Sequence, residues 1–116
     1  MVLEVKPCMK ILTIASHVVH GNVGNKASTF PLQLLGHDVD SINTCQLSNH
    51  TGYSKWGGDR LSAIQFQDLI EGLEFNNLID YSCIVVGYVG VLELLEKIVQ
   101  VICDLKLKSN ALKIGI

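Results

Sequence analysis

Ser82-Cys83-Ile84-Val85-Val86-Gly87-Tyr88 contains the continuous apolar run that decides the fold class. A run of this kind is typical of a strand that is buried on both faces of a sheet. Two further strands are predicted upstream, one over residues 10–15 and one within residues 38–47. Residues 111–116 look like the opening of a fourth strand.

Helical patterns separate these strands. One segment has apolar side chains at the i, i+3, i+4 and i+7 positions of a helix face: Phe66, Leu69, Ile70 and Leu73. Ser62, followed three residues later by Gln65, predicts a capping box that begins this helix near Leu61. A second helix is predicted over residues 91–107, and one apolar stripe of it should pack on the sheet: Leu94, Leu95, Ile98, Val99, Ile102 and Leu105.

The helix between the first two strands is predicted over residues 26–35. Pro31 must either begin its regular part or kink it, and Gly36 suits its C-terminal cap. The resulting β-α-β-α-β-α alternation calls for a parallel sheet, because strands joined by helical crossovers run in the same direction. The predicted fold class is therefore α/β, with the carboxyl ends of all strands at one edge.

Composition favours a folded domain and argues against several kinds of partner. Hydrophobic residues make up 48% of the 116 residues and charged residues 17%, which is too apolar for a disordered chain. A net charge of −2 leaves no positive excess for nucleic acid or an anionic membrane. The longest apolar region, residues 83–95, is interrupted and too short to span a bilayer, and no signal-peptide core precedes it. We therefore predict a cytoplasmic protein with no nucleic-acid or membrane partner.

Polar segments follow the predicted strands, where an α/β sheet builds its binding crevice. Ser16 and Thr51 could hydrogen-bond a small polar ring, and Tyr88 could supply an aromatic wall with a polar tip. The alternative is that the glycines of residues 16–24 only form a tight strand-to-helix turn.

The four cysteines include no C-x-x-C pair, and the four histidines offer no spaced ligand set, so no metal site is predicted. Residues 49–51 match a glycosylation sequon, but modification is not expected without a secretory signal.

Two runs, Ser48-Asn49-His50-Thr51-Gly52-Tyr53 and Phe30-Pro31-Leu32-Gln33-Leu34-Leu35-Gly36, closely resemble motifs of the pyridoxal kinase family, vitamin B6 salvage enzymes of the ribokinase-like superfamily. The resemblance extends from about residue 11 to about residue 107. It implies a parallel-sheet, three-layer ribokinase-like fold, of which this chain would be the N-terminal portion, truncated after about four strands. Residues 1–9 would then be a flexible leader.

The same resemblance implies roles for five residues. Ser16 would contact the pyridine ring of the vitamin, and Thr51 would lie beside the same ligand. Tyr88 corresponds to the tyrosine of a Gly-Tyr element that follows the third strand in the family, and Val23 would line the apolar side of the pocket. Leu47 stands where a phenylalanine commonly flanks the ring.

The activity implied by the resemblance is ATP-dependent phosphorylation of pyridoxal, pyridoxine and pyridoxamine to their 5'-phosphates. Full-length relatives would use ATP, a divalent metal (Mg or Zn) and a monovalent cation, typically as homodimers. The family's nucleotide site and the catalytic Asp of its G-x-G-D motif would lie beyond Ile116, so no catalytic residue is assigned and this chain is expected to be inactive alone. Gly57-Gly58-Asp59 imitates that motif at the wrong position, and residues 57–60 are interpreted as a solvated turn.

Two alternatives remain open from the sequence. The chain could be a non-catalytic module that binds a B6 vitamer or forms a dimer with a complete subunit. It could also be a truncated product that never folds stably, because an uncovered sheet edge would expose apolar surface.

Overall fold

Five strands and three helices alternate along residues 8–116, which are the residues that the computed structural model describes. In chain order they are β1 (Lys10–Val18), α1 (Asn25–Leu34), β2 (Asp38–Leu47), β3 (Gly58–Arg60), α2 (Ala63–Phe75), β4 (Cys83–Val86), α3 (Leu92–Lys108) and β5 (Lys113–Gly115). Each strand and helix predicted from the sequence is present. Within the described residues no helix is both long and apolar enough to cross a bilayer.

The strands form one sheet in the order β3-β2-β1-β4-β5. β1 lies between β2 and β4 and runs parallel to both, and β5 runs parallel to β4. The predicted parallel α/β fold is therefore confirmed, and β5 confirms the strand expected in the tail. Four strands are parallel, as expected, and β3 adds a fifth, antiparallel one at the edge.

The interpretation of residues 57–60 as a turn is wrong, because Gly58–Arg60 pairs with the end of β2 as β3. Gly58 has a φ of +127° and lies so close to β2 that a Cβ there would overlap the carbonyl oxygen of Gln46. The guanidinium of Arg60 stacks 4.9 Å from the centre of the Trp56 ring. A glycine and one stacked pair thus allow an exposed segment to join the sheet.

The helices cover both faces of the sheet, which gives three layers. On one face Leu12 and Ile14 of β1 form the main core with side chains of α2 and α3, including Phe66 and Ile98. Successive side chains of a strand point to opposite faces. Thr13 accordingly faces the other side, where its hydroxyl lies 2.8 Å from that of Ser41, and the Ser41 hydroxyl lies 3.2 Å from that of Thr29 in α1.

Two helix ends follow their sequence signals. The Ser62 hydroxyl accepts from the Gln65 amide at 3.1 Å, and the Gln65 side chain accepts from the Ser62 amide at 2.8 Å, so the predicted capping box is confirmed. Gly36, with a φ of +91°, follows the last turn of α1, and its amide donates to the Gln33 carbonyl. The next amide, that of His37, donates to the Leu32 carbonyl and completes a Schellman ending. Pro31 lies inside α1.

The apolar stripe predicted on α3 is only partly buried. Leu94, Ile98 and Leu105 are buried as expected, but Leu95 and Val99 are 40% and 52% exposed, so their placement in the packed stripe is wrong. The flank of α3 that carries Leu95 and Val99 borders a groove that Ile114 of β5 also lines, and β5 has only three residues. A short edge strand does not cover that flank.

The expected leader, residues 1–9, lies mostly outside the described residues. Of its last two residues, Met9 is tied to the turn before β2. Its amide donates to His37 Nδ1 at 3.2 Å, and its carbonyl accepts from the Asp38 amide at 3.0 Å. Lys10, which begins β1, forms an ion pair with Asp80 at 2.8 Å.

The hydroxyl of buried Tyr81 should make stability depend on pH above neutrality. It donates to Asp40 Oδ2 at 2.7 Å, and burial together with this carboxylate raises the pKa of Tyr81 above its ordinary value of 10.0. The unfolded chain therefore loses this proton first, so the contribution is fully present below pH 10.0 and is lost as the pH rises above it. We expect Tyr81→Phe to lower the free energy of unfolding by about 1 kcal/mol at pH 8, with a difference that shrinks toward pH 11.

Urea titrations of both proteins at each pH measure this difference, and Tyr53→Phe, at an exposed ring, serves as the control. A difference between the wild type and Tyr81→Phe that stays constant with pH would contradict the assignment.

Candidate functional site

The carboxyl ends of β1, β2 and β4 meet at one edge of the sheet, and the winding reverses between β1 and β4. The loop after β1 leads to α1 on one face, whereas the loop after β4 leads to α3 on the other. Such a switch point opens a crevice, and α/β proteins bind ligands there. Ser16 lies near the end of β1, and Tyr88 is the second residue after β4, so both flank this position.

Ser16 sits at a bulge in the pairing of β1 with β2. Ala15 pairs with Asn43 and His17 pairs with Gln46, so two residues of β2 oppose Ser16. Gly24, immediately before α1, lies directly against Ser16: a Cβ on Gly24 would be 2.5 Å from Ser16 Oγ and would overlap the Ser16 carbonyl oxygen. Gly24 thus permits close approach of the backbone, a role that a tight strand-to-helix turn also requires.

The turn between β1 and α1 is held from two sides. Lys26 Nζ donates to the carbonyls of Val19 at 2.8 Å and Gly21 at 3.2 Å. The Val19 amide donates to the Leu47 carbonyl at 2.8 Å, which continues the pairing of β1 with β2 beyond Val18. Val23, which lies within this turn, is 38% exposed.

Asn25, the first residue of α1, links the ends of the two central strands. It is 4% exposed, and its Nδ2 lies 3.1 Å from the Ala15 carbonyl, 3.0 Å from the Ile42 carbonyl and 2.8 Å from Asn43 Oδ1. Its own Oδ1 is buried without a hydrogen-bond partner. One amide group therefore fixes the spacing of β1 and β2 at the bulge.

The loop between β2 and β3 is braced by its own motif residues. Asn49 Nδ2 donates to the carbonyls of His50 at 3.1 Å and Lys55 at 3.2 Å, and His50 Nδ1 accepts from the Gly52 amide at 3.0 Å. The rings of His50 and Tyr53 lie 4.7 Å apart. These contacts leave Thr51 exposed at the turn. Most of the S-N-H-T-G-Y motif thus shapes the loop, and Thr51 is exposed on it together with His50 and Tyr53.

Tyr88 belongs to a short segment that reaches across the end of β1. The Gly87 amide donates to the Ile14 carbonyl at 2.8 Å, and the Thr44 hydroxyl of β2 donates to the Tyr88 carbonyl at 3.2 Å. Val89 is buried in the main core, whereas the Tyr88 side chain is 65% exposed. The backbone is therefore anchored while the ring remains available at the surface.

All five site residues predicted from the sequence lie at the carboxyl edge of the sheet. Ser16 and Val23 flank the turn after β1, and Tyr88 is joined to β2 through Thr44. Thr51 lies on the exposed loop after β2. Leu47 ends β2 but is only 5% exposed, because it packs with Val18 and Cys45, so it offers little surface to a ligand.

The loops at this edge carry histidines but no carboxylates. No Asp or Glu occurs in residues 16–24, 48–57 or 87–91. Within the described part of the chain, no group of three or more His, Cys, Asp and Glu side chains could hold a metal ion. The hydroxyl groups and the aromatic side chain at this edge suit recognition of a small ring.

Two buried polar residues of this edge, Asn25 and Thr44, were not identified from the sequence. A signal for Thr44 was present: it is two residues beyond the apolar Ile42, and strand alternation places it inward. Asn25 carried the weaker signal of a polar side chain just after a glycine turn.

Comparisons with known proteins agree with this architecture. No protein-family model matches the chain. A pyridoxal kinase from Arabidopsis thaliana is 52% identical over 97 residues, which cover 84% of this chain and 31% of that protein. The chain is homologous to pyridoxal kinases. The family resemblance of the motifs is thereby confirmed, and the chain spans about a third of the length of the curated relatives it matches.

Solved structures of pyridoxal kinases share the fold. One from Trypanosoma brucei has a TM-score of 0.85 at 40% identity, covering 91% of this chain and 40% of that one. One from Leishmania donovani, in complex with ADP and pyridoxamine, has a TM-score of 0.80 at 43% identity, covering 84% of this chain and 34% of that one. The ribokinase-like α/β class predicted from the sequence is confirmed by these neighbours.

Proposed function

We propose that this chain forms the vitamin-binding part of a pyridoxal kinase. The complete enzyme would transfer the γ-phosphate of ATP to pyridoxal, pyridoxine or pyridoxamine and give the 5'-phosphate. The observation that carries the proposal is the placement of Ser16 and Tyr88 on either side of the switch point, in a chain 52% identical to a pyridoxal kinase. A neighbour 43% identical was solved with ADP and pyridoxamine.

Each candidate residue has a specific task in this proposal. Ser16 Oγ hydrogen-bonds the pyridine ring, and Thr51 approaches the same ligand from the loop after β2. Tyr88 supplies a wall against the ring, where an aromatic contact is worth about 1 kcal/mol. Val23 contributes apolar surface. Leu47, being buried, acts at most through the packing beneath the site.

Phosphoryl transfer needs further groups, which the proposal assigns to other parts of a complete kinase. A nucleotide cradle, cations to hold the developing charge and a group that takes the hydroxyl proton are all required. The carboxyl-edge segments contain no carboxylate to take that proton. ATP, a divalent metal and a monovalent cation, together with a homodimeric assembly and a cytoplasmic location, belong to this proposal for the complete enzyme.

A chimera tests the proposal most directly. Replacing the matched segment of the Arabidopsis thaliana pyridoxal kinase with this chain's sequence should give an enzyme that phosphorylates pyridoxine in a coupled assay. Within the chimera, Ser16→Ala should raise the KM for pyridoxine about five-fold, the equivalent of one hydrogen bond of about 1 kcal/mol. Ser54→Ala, at an exposed serine of the loop after β2, should leave the KM unchanged.

The 116-residue chain alone should form no pyridoxine 5'-phosphate above the blank in the same assay. Turnover by the purified chain would contradict the division of tasks, and a folded chimera without kinase activity would contradict the proposed function itself.

The second candidate is a non-catalytic module that binds a B6 vitamer or pairs with a complete subunit. The lack of carboxylates beside a well-formed carboxyl edge favours it for the chain acting alone. Calorimetry with pyridoxine tests whether the chain binds a B6 vitamer. Sedimentation of the chain mixed with an intact pyridoxal kinase tests whether it pairs with a complete subunit. Absence of both binding and association would eliminate it.

A further inference from the structure

Thr44 is a fully buried hydroxyl residue near the carboxyl end of β2. It is 0% exposed and follows Ile42, a member of the main core, by two residues, so both face α2 and α3. A buried hydroxyl group is costly unless it has a hydrogen-bond partner. Its partner is the carbonyl oxygen of Tyr88, 44 residues away, at 3.2 Å.

This hydrogen bond spans the central strand. β1 lies between β2, which carries Thr44, and β4, which precedes Tyr88. Thr44 is also one of the two β2 residues at the bulge opposite Ser16. The bulge thus places the hydroxyl where it reaches over the end of β1 and links the Tyr88 segment to the strand beside Ser16.

The Tyr88 segment has few other anchors. The Gly87 amide binds the Ile14 carbonyl, and Val89 enters the core, but the peptide between Tyr88 and Val89 lies between these points. Gly90, with a φ of +79°, lies under the Tyr88 ring, where a Cβ would come 3.0 Å from Cε1. The orientation of the Tyr88 peptide therefore sets where the ring stands.

From this geometry we propose that Thr44 is a positioning residue: its hydroxyl fixes the Tyr88 peptide and thereby holds the aromatic ring in place across the switch point from Ser16. The role in ligand binding rests on the proposed function. The role in orienting the peptide does not, because it concerns the chain without ligand.

Thr44→Val removes the hydroxyl with little change of shape, and Thr44→Ser retains it. Thr13→Val removes another buried hydroxyl of the same sheet, one that pairs with Ser41 and not with the Tyr88 carbonyl. The first readout is the ¹⁵N chemical shift of Val89 in the ligand-free chain, because that nitrogen shares the peptide group whose carbonyl accepts the bond. The shift should move in Thr44→Val and stay near its wild-type value in the other two variants.

The second readout is the dissociation constant for pyridoxine, measured below the melting temperature of every variant. We expect it to rise about five-fold in Thr44→Val and less than two-fold in Thr44→Ser and Thr13→Val. An unchanged Val89 shift in Thr44→Val overturns the proposal, as does an unchanged affinity in a chain whose Val89 shift has moved. If the wild-type chain does not bind pyridoxine, that result counts against vitamer binding by the chain, and the Val89 shift alone decides whether Thr44 positions the peptide.

Discussion

Gly24→Ala should lower the free energy of unfolding by about 3–5 kcal/mol and abolish vitamer binding. Gly24 has a φ of +60° and a ψ of −131°, a conformation that costs a residue with a side chain about 1–3 kcal/mol. In addition, the new methyl group would overlap the Ser16 carbonyl oxygen and approach Ser16 Oγ to 2.5 Å, and such overpacking costs about 1–3 kcal/mol. Relief of the overlap would require β1 and α1 to separate at Ser16.

Gly21→Ala is the matched control for this change. Gly21 also has a positive φ, +112°, but the nearest atom to its hypothetical Cβ is Val18 Cγ2 at an ordinary 3.6 Å. It should therefore show the conformational cost alone, about 1–2 kcal/mol. Urea denaturation measures both variants, and calorimetry with pyridoxine measures binding. If both variants lose the same free energy of unfolding, the contact between Gly24 and Ser16 adds nothing to the cost of Gly24→Ala.

Local signals in the sequence were sufficient for most of the fold. The apolar run of Cys83–Val86 predicts a buried strand because both of its faces are covered, and Ser62 with Gln65 marks a helix start because the capping bonds involve only neighbouring residues. β3 could not be predicted in this way. A strand of three exposed residues has no hydrophobic period, and its pairing depends on the fit of Gly58 against Gln46 in another element.

The exposed flank of α3 shows a second limit of periodicity. The pattern identifies Leu95 and Val99 as apolar, but the extent of cover depends on which strands lie beneath the helix. The candidate site was likewise only partly predictable from the sequence. The common edge of Ser16 and Tyr88 follows from parallel strands, whereas the burial of Leu47 depends on its pairing with Val18. The ligand contacts of Ser16, Thr51, Tyr88 and Val23 stay predictions.

Asn25→Asp should be the second severe substitution, although the two side chains have nearly the same shape. The group that replaces Nδ2 would be an oxygen facing three acceptors, the carbonyls of Ala15 and Ile42 and the Oδ1 of Asn43. A buried charge that has no hydrogen-bond donor beside it and faces only acceptors costs about 3–5 kcal/mol. The favourable position of a carboxylate at the start of α1 offsets only about 0.5 kcal/mol of this.

The pH dependence of Asn25→Asp separates electrostatic repulsion from a simple loss of packing. Because its neighbours disfavour the charged form, the new carboxyl should have a folded pKa above its unfolded value of about 3.9, so the variant loses stability as the pH rises above that value. The deficit relative to the wild type should therefore be largest at neutral pH and shrink toward pH 4, where a protonated carboxyl can donate one of the lost bonds. Asn110→Asp adds the same charge at an exposed position and should shift stability by less than about 0.5 kcal/mol. Urea titrations across this pH range measure both variants, and a deficit in Asn25→Asp that is independent of pH would show that Asn25 acts only through its volume.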